Sequence, residues 1–147
     1  MSTSENSAKA TQDLQLRTKL FAVRVIKLCR VLGRTPGEGW VMRDQLLRCG
    51  TAVAANYRAA CRARSKAEFA AKLGIVVEEA NETIFWFELL TAAGTLSEGQ
   101  LKSLSDEAHE LLRIFSSARH TTLSQIKNQQ STIKNCPPLS PRIINAL

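Results

Sequence analysis

Apolar residues recur along this chain three and four positions apart, and nowhere do they alternate long enough to mark a strand. Leu14, Phe21, Val25, Leu28, Cys29 and Leu32 share one face, which predicts a helix over residues 13–32. Gly33, Pro36, Gly37 and Gly39 then break the chain, a short link that suits an antiparallel helix pair. Trp40 opens a second helix, predicted over 40–63, and is expected to staple it to the first. Its apolar face is Met42, Leu46, Gly50, Val53, Ala54, Tyr57 and Cys61. Ser65 followed by Glu68 has the spacing of a capping box and starts a third helix, over 66–93, with Phe69, Leu73, Val76, Val77, Ala80, Ile84 and Phe87 as its core stripe. Gly94 fits a helix C-cap. Ser97 with Gln100 is a second capping pair, opening a fourth helix over 98–119 whose pattern frays onward to Lys127. Leu101, Leu104, Ala108, Leu111, Leu112 and Phe115 form its core face. The fold class is therefore all-α, an antiparallel up-and-down four-helix bundle over residues 13–127. Residues 1–12 are polar and unpatterned and predict a disordered tail. Residues 128–147, polar and then broken by Cys136-Pro-Pro and Pro141, predict a second flexible tail.

Two features of the pattern exceed what one bundle needs. The second helix is unusually rich in small residues, from Gly50 through Ala52, Ala54, Ala55, Ala59 and Ala60, so that another backbone can come close. The third helix is apolar on both sides. Beyond its core stripe, Ile75, Phe85, Trp86 and Leu89 are interleaved with Glu78 and Glu82. A helix with two apolar sides has two partners. These six residues are the candidate interface of a homo-oligomer.

Length and composition fit one globular domain: 147 residues with 44% hydrophobic content exclude wholesale disorder. No apolar run approaches the ~20 residues of a membrane span, and the first residues lack a signal peptide's apolar centre, so a cytoplasmic protein is expected. The cysteines at 29, 49, 61 and 136 show no zinc-like or redox pair spacing, and no disulfide is expected.

Charge changes the picture more. The net charge is +7, but residues 14–72 hold thirteen Lys and Arg against three acids, whereas residues 73–127 hold four against eight. On the second helix, Arg48, Ala55, Arg58, Ala59 and Arg62 fall opposite the apolar face as a cationic strip. Arg43, Arg64 and Lys66 extend it, and Arg17 and Arg24 on the first helix add to the same half of the chain. Two readings stand side by side. Arginine grips phosphate through paired hydrogen bonds, so the strip is a candidate RNA or DNA surface, led by backbone contacts and weakly sequence-specific because few aromatics are free to stack. Alternatively the arginines pair with Glu78, Glu79 and Glu82 of a neighbouring copy, which makes the protein an interaction scaffold for itself or for another protein.

Other chemistries lack their parts. A two-metal carboxylate bundle wants two Glu-x-x-His pairs; here Glu78 and Glu82 share a face and Asp106 precedes His109 by three, but the second pair is missing. No Ser-His-Asp or Cys-His arrangement, glycine-rich phosphate loop or paired acids in a cleft is present, so no enzyme, no metal and no cofactor is expected. Asn56, a poor helix former in mid-helix, is expected either to hydrogen-bond at an interface or to sit exposed.

The central stretch resembles the bacterial four-helix-bundle family named for proteins encoded in 23S ribosomal RNA intervening sequences. The resemblance rests on Gln45, Leu46, Arg48, the small run through Val53, Asn56, and Arg64-Ser65-Lys66-Ala67-Glu68-Phe69, then Leu73, Val77-Glu78-Glu79-Ala80, Glu82, Leu89-Leu90 and Ala93-Gly94. It covers roughly residues 14 to 120. Many relatives read Asn-Ile-Ala-Glu-Gly where this chain reads Asn56-Tyr57-Arg58-Ala59-Ala60, which removes an acid and adds an arginine. The resemblance implies a homo-oligomeric ring, a pentamer, and a nucleic-acid-binding role. More distantly it implies kinship with an accessory protein of diversity-generating retroelements that assists a reverse transcriptase.

Overall fold

The periodic faces turn inward as four helices with short links. The structure, a computed structural model, describes residues 3–33, 37 and 39–134. The helices are α1 (Thr3–Leu32), α2 (Gly39–Ala60), α3 (Lys66–Ala92) and α4 (Glu98–Lys134), and no strand occurs among the described residues. Each helix packs on the next in sequence, and α1 also meets α4. The pairs run antiparallel: Gly50 lies against Val25, while further along α1 the Cys29 thiol donates to the Arg43 carbonyl at 3.5 Å. The core collects Phe21, Val25 and Leu32 from α1, Leu46 and Val53 from α2, Leu73, Val76, Phe87 and Leu90 from α3, and Leu111 and Phe115 from α4. Tyr57 of α2 and Phe115 of α4 meet with ring centroids 4.9 Å apart. Gly50 is what lets α1 and α2 approach, since a Cβ there would lie 2.7 and 2.9 Å from the two Val25 methyls.

The helix ends follow their capping chemistry. Ser65 has extended backbone (φ −150°, ψ 161°), and its hydroxyl accepts from the Glu68 amide at 3.0 Å. The Glu68 carboxylate reaches back one residue further than a standard box, to the Arg64 amide at 2.8 Å. At the start of α4 the pair is fully reciprocal: the Gln100 amide donates to Ser97 Oγ at 3.2 Å, and the Ser97 amide donates to Gln100 Oε1 at 2.9 Å. Gly94 takes the left-handed conformation (φ +71°) and closes α3. Its amide bonds Thr91 O at 3.0 Å while the Thr95 amide bonds Leu90 O at 3.0 Å, the paired pattern of a Schellman motif.

Four expectations are corrected. Residues 3–12 are helical rather than disordered. They contain no Gly or Pro, carry helix-favouring Ala8, Lys9 and Ala10, and extend a helix already nucleated by core packing, which needs only propagation. Residues 128–134 likewise continue α4, so part of the expected C-terminal tail is helix; Cys136 and Pro141 lie outside the described residues. The second helix ends at Ala60, and Cys61 to Ala63 form a tightened turn with the Arg62 amide on Ala59 O and the Ala63 amide on Ala60 O, each at 3.0 Å. Trp40 does not staple α2 to α1: Gly39 takes the buried position at the helix start and the Trp40 side of the turn is left 56% exposed.

Candidate functional site

The α2–α3 hairpin folds about Ser65, so residues equally far from Ser65 face each other across the pair. Arg48 and Glu82 are one such couple. The Arg48 guanidinium donates to Glu82 Oε1 and, through its other terminal nitrogen, to Glu79 Oε2 at 3.2 Å, and Trp86 Nε1 donates to the same Glu82 oxygen at 3.3 Å. The hydrogen bond from Arg48, helped by that from Trp86, holds the Glu82 carboxyl below the usual carboxylate range. Arg48 is thus satisfied inside its own chain by two of the acids that the sequence offered as partners on a neighbouring copy.

Other members of the predicted cationic set are also tied. Arg17 makes a two-pronged contact with Glu107 of α4, Nε to Oε1 at 2.6 Å and Nη2 to Oε2 at 2.9 Å. Arg24 donates to Ser103 Oγ at 2.9 Å, so these two clamp α1 to α4. Arg43 pairs with its neighbour Asp44 at 2.7 Å and folds over Gly33. Arg64 lies 3.8 Å from Glu68, almost fully exposed, and Lys66 donates to Gln125 Oε1 at 3.0 Å.

Arg58 and Arg62 differ. Both are exposed, and neither makes an ion pair or hydrogen bond among the described residues. They stand as a ridge with a groove on each side. Toward α3, a cleft of about 360 Å³ adds Arg64 and Lys72 to them, with Glu68 as the acid in its lining. Toward α1, a groove of about 620 Å³ adds Lys19, with Gln12, Gln15, Leu16 and Thr51. Ala55 lines both, its small side chain leaving the space open. The hairpin end of the bundle therefore concentrates untied positive charge. On α4, Arg119 joins it by lying over Gly74, its Nε 3.2 Å from where a Cβ would be.

The structure thus splits the eight predicted cations into six engaged and two open, and it adds Lys19, Lys72 and Arg119. Lys72 could have been found: it lies as far after Ser65 as Arg58 lies before it. Lys19 and Arg119 carried no such signal, because only the packing of α1 and α4 brings them there.

On the second predicted surface, Ile75 is 41% exposed and Phe85 50%, Glu78 is exposed, and Glu82, Trp86 and Leu89 are half-buried. Phe85 and Trp86 stack edge to face with centroids 5.3 Å apart. Asn56 is half-buried and donates to the Ala52 carbonyl at 2.9 Å within its own helix. Among the described residues no group of three or more His, Cys, Asp or Glu is placed to hold a metal ion. Cys29 and Cys49 are buried free thiols, and burial pushes the Cys29 thiol up to about 11.

Residues 12–117 match the family model described as the 23S rRNA-intervening sequence protein. The chain is also similar to a crystal structure, at 1.70 Å resolution, of a protein with unknown function from the S23 ribosomal protein family of Bacteroides thetaiotaomicron. The two share 34% identity over 75% of this chain and 97% of that one, with a TM-score of 0.70. No curated protein matches the chain significantly.

Proposed function

The chain belongs to the 23S rRNA-intervening sequence protein family, and from that premise we propose that it is a non-enzymatic, oligomeric cytoplasmic protein that binds RNA or DNA through its Arg58–Arg62 ridge. The observation that carries this reading is that those two arginines have no acid partner among the described residues, on a surface where every other predicted cation is engaged. An arginine kept for the protein's own cohesion finds its carboxylate, as Arg17 and Arg48 do. Two held open between basic grooves are free to take phosphate oxygens. Binding led by such contacts is weakly sequence-specific. In this reading the outer face of α3, with Ile75, Glu78, Glu82, Phe85, Trp86 and Leu89, joins copies into a ring, a pentamer, that repeats the ridge around its rim.

The test is the double substitution Arg58→Gln/Arg62→Gln, followed by anisotropy of labelled RNA and DNA across a salt series. Affinity should fall by a similar factor for every sequence. The slope of log K against log salt should flatten by up to about two units per subunit bound, close to one per lost phosphate contact. The oligomer should stay whole. A second reading, an interaction scaffold or accessory subunit whose arginines serve assembly, is favoured by the pairing of Arg48 with Glu79 and Glu82. It requires the opposite result: loosened assembly with binding per folded molecule unchanged.

A further inference from the structure

The two flanks of the ridge differ in chemistry, and the difference names a ligand class. The α3 flank is cationic, with Arg64 and Lys72 beside Arg58 and Arg62. The α1 flank has Lys19 on it but is otherwise lined by Gln12, Gln15, Leu16 and Thr51. The side-chain amides of Gln12 and Gln15 make no hydrogen bond among the described residues, although Gln15 is half-buried. Each amide has two donors and an acceptor to offer. The Thr51 hydroxyl donates to the Leu47 carbonyl at 2.7 Å, which leaves its oxygen able to accept. Leu16, 55% exposed, supplies an apolar wall. A groove of about 620 Å³ falls inside the ~300–1,000 Å³ range of small-molecule sites, roomy enough for a nucleobase with its sugar.

Phosphates alone would leave those amides unmatched. A duplex presents phosphates on a stiff cylinder and keeps its bases stacked and paired, so none can drop between α1 and α2. A single strand offers phosphates and free base edges together. Arg58 in the last turn of α2 and Arg62 in the turn that follows it line the same two grooves, so a strand crossing the ridge can meet both with its phosphates. Resting on the phosphate-binding reading above, we infer that the ligand is a single-stranded nucleic acid whose backbone crosses the Arg58–Arg62 ridge and whose base enters the α1–α2 groove. None of the named lining residues is aromatic, so the base is held by amide hydrogen bonds and by Leu16, and the preference among bases is modest.

The experiment compares a labelled single-stranded RNA, the matching single-stranded DNA, and their duplexes at one salt concentration, with circular dichroism and light scattering to confirm fold and assembly. Wild type should bind the single strands at least about tenfold more tightly than the duplexes. Gln12→Ala/Gln15→Ala should weaken single-strand binding about three- to tenfold, the worth of one or two neutral hydrogen bonds, and leave duplex binding unchanged. Leu16→Glu, which puts a carboxylate in the groove, should weaken single-strand binding at least as much. Duplex binding as tight as single-strand binding, or a loss in the glutamine variant shared equally by both forms, would overturn the groove inference and leave the phosphate reading in place. A wild-type protein that binds neither form overturns both.

Discussion

Glycine at position 50 shows how far one side chain can decide the packing. A methyl added there meets both branches of Val25 at under 3.0 Å, and also its Cβ at 3.2 Å. Valine is stiff at χ1 and has no spare rotamer to swing into. Overpacking of this kind costs about 1–3 kcal/mol, which exceeds the ~1 kcal/mol of helix propensity that alanine gains over glycine. Gly50→Ala should therefore lower Tm by a few degrees in a thermal melt, and Val25→Ala added to it should recover part of the loss. If Gly50→Ala instead raises Tm, the close approach of α1 and α2 is not the constraint described. Other single positions were legible from their type: Ser65, Gly94 and Ser97 cap helices where their spacing placed them. Trp40 was not, because a helical period cannot say which of two adjacent residues at a helix start turns inward.

The α2–α3 hairpin is the element on which most of the chemistry sits. Its register pairs Arg48 with Glu79 and Glu82, and this pairing has a pH signature. The folded Glu82 carboxyl lies below its unfolded value, chiefly through the Arg48 hydrogen bond. A depressed carboxylate contributes stability above the unfolded pKa, and that contribution is lost as pH falls through the folded one. Glu82→Gln should consequently lower Tm near neutral pH, and the gap to wild type should close as the melts are repeated down to about pH 3, below the ordinary carboxylate range. The gap should be small, because Glu82 is only partly buried and solvent screens an exposed pair. A gap that persists unchanged at low pH would place its origin in packing rather than charge. The lengths of α1 and α4 were the element-scale misses. Residues 3–10 are exposed throughout, so no hydrophobic period marks them, and only the folded remainder of α1 makes them helical.

At the scale of the whole molecule, the structure accounts for one core and leaves Ile75 and Phe85, on the opposite face of α3, exposed, while Trp86 keeps contact with that core. Phe85, Ile75 and the half-buried Trp86 and Leu89 lie on the side of α3 away from the packed residues Leu73, Val76 and Phe87. If that face joins copies, Trp86→Glu should convert the oligomer to monomers or aggregates in light scattering, while far-ultraviolet circular dichroism keeps its helical signal. An unchanged oligomer would refute the assignment. Wild-type assembly held by this apolar face should survive added salt that abolishes nucleic-acid binding, since apolar burial does not depend on screening.

The sequence by itself determined four amphipathic helices, their order, their caps and the residues of their inner faces, because these depend on periods and spacings that act within a turn or two of chain. It also located the excess of positive charge in residues 14–72. Which arginines are open was decided only by the tertiary structure. Arg17, Arg24 and Arg48 look no different in sequence from Arg58 and Arg62, yet the packed helices give the first three a hydrogen-bond partner on another helix, while Arg58 and Arg62 make none among the described residues. The same packing brought Lys19 and Lys72 to either side of the ridge and opened the groove against α1. An ion pair needs two groups within a few ångströms, and for residues up to ninety positions apart that distance is fixed by how the helices pack.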